Sequence, residues 1–349
     1  MWWSAPIARA SPPAAFQKDI NVTELTSVTL SCDGAHVTLI NYGAITADWR
    51  IDVDGTATPM ILGYQDLNDY PRSPYYFGAI VGRVSNRIGG GRFALPDGTI
   101  AKLATNEGAT TLHGGPNGLG SVYWSLSKTA EDRAELTYRS EDGEGGFPGC
   151  VDVKVVVTLT EKSLAYDMSA TVDRPTPISL AQHNYYNFGG TADIWDYRLK
   201  MPSHQVLEQS DIGVSTGNIV DTTGSIEDFR AGQSMAAFKE TGLDGHFVFD
   251  ANALEADDLP TVAEMRAPNG LGLRVFSDQL GAQIYTAHGL DSVPGGLNGQ
   301  TYGRGAGLCV EPQGHPNAVN IAAFPSVMAT PDAPYRQVLR LEVLQLEDA

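Results

Sequence analysis

From Val151 to Val172 the chain alternates apolar with mostly polar residues. Val151, Val153, Val155, Val157 and Leu159 fall on one side of an extended backbone, and beyond the Glu161-Lys162 turn Leu164, Tyr166, Met168, Ala170 and Val172 do the same. Successive side chains of a strand point to opposite faces, so the pattern predicts two half-buried strands joined as a β-hairpin. Leu271, Leu273 and Val275 repeat the signal, and so do Leu339, Leu341 and Val343. Few segments hold an apolar 3.6-residue period over three turns, and Gly or Pro interrupts most that begin one. The expected fold class is therefore all-β: a large antiparallel β-sandwich with few short helices and long polar loops where a ligand could sit.

Length alone would allow two domains in 349 residues, but no Pro/Ser-rich linker or composition break divides the chain. Residues 21–349 are read as one domain, preceded by a poorly ordered arm over residues 1–20. The opening MWWSAPIARASPPAAF lacks the basic start and unbroken apolar run of an export signal, being interrupted by Pro6, Pro12 and Pro13.

A formal net charge of −18 with no basic run makes nucleic acid and anionic membranes poor partners. No stretch reaches the ~18 apolar residues of a membrane span. Cys32, Cys150 and Cys309 are far apart and odd in number, so they fit neither a disulfide framework nor a CxxC metal site, and they read as small buried apolar residues. The expectation is a cytoplasmic protein, or a periplasmic one if the first residues are the remnant of an export signal. It is expected to act as a monomer or homodimer on a small molecule.

Four separated segments combine titratable side chains with glycine or aromatic neighbours. In Gly82-Arg83-Val84-Ser85-Asn86-Arg87-Ile88, Asn86 and Arg87 could donate to hydroxyls of a neutral polyol, or Arg87 could be a surface residue beside a glycine turn. The run from Asn106 to Leu112-His113-Gly114-Gly115 lets backbone approach a ligand, and is also found in ordinary turns. In His183-Asn184-Tyr185-Tyr186-Asn187-Phe188-Gly189-Gly190 a histidine projects among rings, in a cleft or as a structural residue. In Cys309-Val310-Glu311-Pro312-Gln313, Glu311 follows an apolar stretch, which would place its carboxylate at a strand end, partly desolvated and raised in proton affinity; the alternative is a solvated loop glutamate. Asp244, in Gly242-Leu243-Asp244-Gly245-His246, could accept from two sugar hydroxyls or make a turn. The seven histidines show no short-spaced pair with a third metal ligand, and Walker, dinucleotide and GxSxG patterns are lacking, so neither metal nor cofactor is expected.

Taken together and in this order, these segments resemble the aldose 1-epimerase (galactose mutarotase) family from about Asn41 to the end, with Phe77-Gly78 leading into the Gly82 segment. The resemblance implies the galactose mutarotase-like supersandwich and a cofactor-free isomerase that interconverts the α and β anomers of a free monosaccharide. It implies Glu311 as the catalytic base and His183 as the acid. Arg87, His113, Asp244 and Gln283 match the positions that hold the sugar, with Asn86 as a further candidate. The sequence departs from the family at Asn317, where an acidic residue is more usual, and over Gly213-Val214-Ser215-Thr216-Gly217, where the turn more often contains proline. Both departures bear on substrate preference. Two other readings compete: a hexose-phosphate 1-epimerase, which needs more cationic side chains than Arg83, Arg87 and Arg92 supply, and a carbohydrate-binding protein without turnover.

Overall fold

The computed structural model describes residues 24–255 and 259–345. The arm expected over residues 1–20 lies outside them.

The predicted hairpin is present: strands Val151–Leu159 and Ser163–Val172 pair antiparallel in full register from Val151↔Val172 to Leu159↔Leu164. They lie inside a nine-stranded sheet with the order Ser125–Ala130, Arg133–Ser140, Val151–Leu159, Ser163–Val172, Tyr335–Gln345, Leu271–Ser277, Thr261–Arg266, Arg198–Lys200, Gln233–Ser234. The two later alternating segments are thus neighbours in the same sheet, where Leu341 pairs with both Leu164 and Val275.

The apolar face of this sheet packs against two others. Strands Ser27–Cys32, Ala35–Ile40, Ile45–Val53 and Thr56–Pro59 form a four-stranded meander. A five-stranded sheet has the order Ser215–Asp221, Gln205–Gln209, Asp244–Val248, Gly281–Tyr285, Cys309–Pro312. Val155, Met168 and Leu341 from the first sheet, Val37 and Trp49 from the second, and Phe247, Ile284 and Val310 from the third belong to one buried cluster. Each such Val, Leu, Ile, Met or Phe removed from water contributes about 1.5–3 kcal/mol, which makes the period-two pattern the main determinant of the architecture. The only α-helix among the described residues is the single turn Ala251–Leu254.

One expectation fails in part. Cys309 is buried, but Cys32 and Cys150 are half-exposed. Cys32 packs against the core but ends the outermost strand of the meander, where one side is uncovered, and Cys150 sits in the loop before Val151.

The five-stranded sheet positions the site. Phe247, Ile284 and Val310 point into the core, so pleat alternation turns Asp244, Gln283, Tyr285, Cys309 and Glu311 to the other face.

Candidate active site

Glu311 and Gln283 are direct partners across adjacent strands, and the next strand adds Asp244, whose Oδ1 accepts from Gln283 Nε2 at 2.6 Å. His183 comes from another part of the chain. Its backbone is held at both polar groups: its N–H donates to Ala79 O at 2.8 Å, and its carbonyl accepts from Gly78 N at 3.0 Å. Just beyond, Tyr186 and Leu308 form an antiparallel bridge. Three residues back on one segment and three forward on the other, the same register carries His183 to Glu311.

His183 Nε2 stands 3.6 Å from Glu311 Oε1, with the Glu311 side chain 2% and the His183 side chain 8% exposed. That separation exceeds a hydrogen bond, and such contacts commonly tighten only around a bound substrate. Burial, reinforced by the charge of Asp244, raises the Glu311 carboxyl well above its usual range. Burial also lowers the His183 imidazole to about 4. Burial thus pushes both groups of the pair toward their neutral forms.

The remaining groups arrive on a small ladder in which Arg87 pairs with Leu112. His113 N donates to Asn86 O at 3.0 Å, and Asn86 N donates to His113 Nδ1 at 3.1 Å. Burial, with the nearby charges of His183 and Arg87, lowers the His113 imidazole well below its usual value. Neutral His113 with Nδ1 accepting must carry its proton on Nε2, which makes it a donor. A Cβ on Gly114 would lie 1.9 Å from Gly82 O, so glycine is required for the two loops to meet. Arg87 is clamped by Glu107 through Nε to Oε2 at 2.5 Å and Nη2 to Oε1 at 2.8 Å, and its Nη1 has no partner among the described residues. The Asn86 side chain is turned locally, its Oδ1 accepting from Arg87 N at 2.7 Å.

All seven residues singled out from the sequence are thereby drawn together. Arg87 feels Asp244, His113 lies 5.4 Å ring to ring from His183, and His183 meets Glu311, which pairs with Gln283 beside Asp244. Gln283 Oε1 is buried without a hydrogen-bond partner, an acceptor that costs free energy unless a ligand donor reaches it. Sequence reasoning missed Glu107, Tyr76 and the thiol of Cys309. Glu107 directly follows Asn106 in a quoted segment, but only the fold shows that it meets Arg87.

Cys309 Sγ lies 3.8 Å from His183 Nδ1, and His183, Cys309 and Glu311 offer donor atoms within 4.8 Å of one another. Linear spacing could not reveal this cluster. Burial raises the Cys309 thiol well above its usual value.

The family model described as aldose 1-epimerase matches residues 26–342. This chain belongs to the aldose 1-epimerase family. Among its relatives, the galactose mutarotase of Bos taurus is 34% identical over 88% of this chain and 90% of its own. The aldose 1-epimerase of Haemophilus influenzae is 29% identical over 82% of this chain and 86% of its own. Among solved structures, the GalM/aldose epimerase homologue from C. elegans superposes with a TM-score of 0.86 at 26% identity, covering 93% of this chain and all of that one. The expected galactose mutarotase-like β-sandwich is therefore the fold of this family member.

Proposed function

We propose that this protein is an aldose 1-epimerase that opens and recloses the ring of a free aldose, with Glu311 as base and His183 as acid. Glu311 as carboxylate takes the proton of the anomeric hydroxyl. The O–H electrons become the second bond of the C1 carbonyl, the C1–O5 bond breaks, and O5 takes the proton of the His183 imidazolium. The product is the open aldehyde, facing a neutral imidazole and a carboxylic acid. Rotation about C1–C2 presents the other carbonyl face, and the same pair with protons exchanged closes the ring to the opposite anomer. Arg87 Nη1, His113 Nε2–H and Gln283 Nε2 serve as donors, and Asp244 and Gln283 Oε1 as acceptors, to the remaining hydroxyls, with Asn86 fixing the Arg87–His113 edge.

The observation that carries this reading is the buried His183–Glu311 pair at 3.6 Å, an imidazole and a carboxyl facing one another. Glu311 gains a proton as His183 gives one up, so catalysis moves protons within the site and needs none from solvent. A binding protein has no use for such a pair. A phosphate reading is disfavoured because Arg83 is 2% exposed and spends its guanidinium on the carbonyls of Pro148, Gly149, Ser140 and Glu141. The three unpaired cysteines fit a reducing compartment.

Polarimetry on freshly dissolved α-glucose or α-galactose tests the assignment. Glu311→Gln and His183→Asn should each slow anomer interconversion by about 100-fold or more, as loss of a positioned acid or base does. Wild-type rates in either variant remove that residue from its role.

A further inference from the structure

Two tyrosine rings lie almost parallel to the imidazole of His183. The Tyr185 centroid is 5.1 Å away at an interplanar angle of 22°, and that of Tyr76 is 6.1 Å away at 25°. Tyr76 reaches this place with a backbone φ of 55°, left-handed geometry that a bulky residue adopts only where its surroundings impose it. The surroundings are visible. The Tyr185 hydroxyl donates to Tyr75 O at 2.9 Å, so one tyrosine holds the peptide that turns the other inward. Tyr76 also meets the His113 ring edge-on at 4.9 Å. Neither ring titrates near neutrality, since burial raises both phenols, and the acid–base chemistry leaves their purpose open.

We propose that Tyr185 and Tyr76 are positioning residues whose ring faces hold the His183 imidazole and stabilise the cationic form in which it gives up its proton. The inference rests on the reading of His183 as the acid. An aromatic face carries the negative end of the ring quadrupole and attracts a cation within about 6 Å, more strongly where water is excluded. Water exclusion otherwise works against an imidazolium at this depth. The other groups facing His183 offset little of that cost. Glu311 favours the cation only once it is ionised, the Cys309 thiol and the His113 ring are neutral, Arg87 beyond His113 repels a cation, and Asp244 acts on Glu311. The tyrosine faces favour the cation whatever the state of Glu311.

The test drains the ring faces without changing their shape. Tyr76→Phe is compared with its difluoro and pentafluoro forms, fluorotyrosines replace Tyr185 with the hydroxyl kept, and kcat/KM for mutarotation is followed against pH. Fluorination should lower the plateau progressively, by about 2–30-fold in all, and move the acidic limb to lower pH by about 0.4–1.5 units. Both shifts share a sign, because an imidazolium held less well forms only in stronger acid and is scarcer at neutrality. A plateau that falls while the limb stays put, or no response to fluorination, overturns the proposal. His183→Asn in the same series separates the two levels. If that variant is inactive while fluorination has no effect, only the tyrosine proposal falls; if it keeps wild-type rates, the acid assignment falls and takes this one with it.

Discussion

Depth rather than charge suits two ordinary side chains to the acid and base roles proposed for them. Both Glu311 and His183 have lost their water, and desolvation drives each toward its neutral form, the carboxyl upward and the imidazole downward to about 4. In the proposed mechanism the pair works with one proton between its two members. As pH falls through the lowered His183 value, a second proton arrives and no base is left; as it rises through the raised Glu311 value, the last proton leaves and no acid is left. Mutarotation should therefore follow a bell with an acidic limb near 4 and an alkaline limb well above the ordinary carboxylate range. Rates recorded from about pH 3 to 10 check it, and an alkaline limb at a normal carboxylate pKa would refute the single-proton account.

The element that shapes the rim is the turn between strands Gln205–Gln209 and Ser215–Asp221. Gly213 lies so close to Arg87 that a Cβ there would come within 3.0 Å of the guanidinium carbon. Asn317 secures this arrangement: its Oδ1 accepts from Gly89 N at 3.1 Å, and its Nδ2 donates to Ser215 O at 3.2 Å. It thus joins the loop after Arg87 to the end of the turn. An aspartate at this position, the more usual residue in the family resemblance, keeps the first bond but has no proton for the second. Asn317→Asp should loosen the turn over Arg87, raising KM about 2–10-fold while kcat stays within about twofold. Initial rates over a range of aldose concentrations decide the point, and a variant impaired in kcat alone would show that the turn is not a binding element.

For the molecule as a whole, a net charge of −18 cannot steer a neutral sugar, so kcat/KM should change less than about twofold between 0.02 and 0.5 M salt. A steep salt dependence would instead indicate a charged substrate. The three-sheet arrangement was legible to the extent that it follows from alternation. The apolar residues of Val151–Leu159, Ser163–Val172, Leu271–Ser277 and Tyr335–Gln345 have one stable place to go, and the hydrophobic effect responds to pattern irrespective of partner. The residues that cluster at the candidate site were legible as types in ordered segments, because histidine, glutamate, arginine and their glycine and aromatic neighbours recur in recognisable surroundings. What the sequence left open was everything that depends on distance between segments remote along the chain: that Glu107 clamps Arg87, that Cys309 lies under His183, that Tyr76 turns back over it, and that Arg83 serves the backbone instead of a ligand. Hydrogen bonds and desolvation act over a few ångströms. The tertiary fold alone, through the register that aligns Tyr186 with Leu308, decides which of these groups come within that reach.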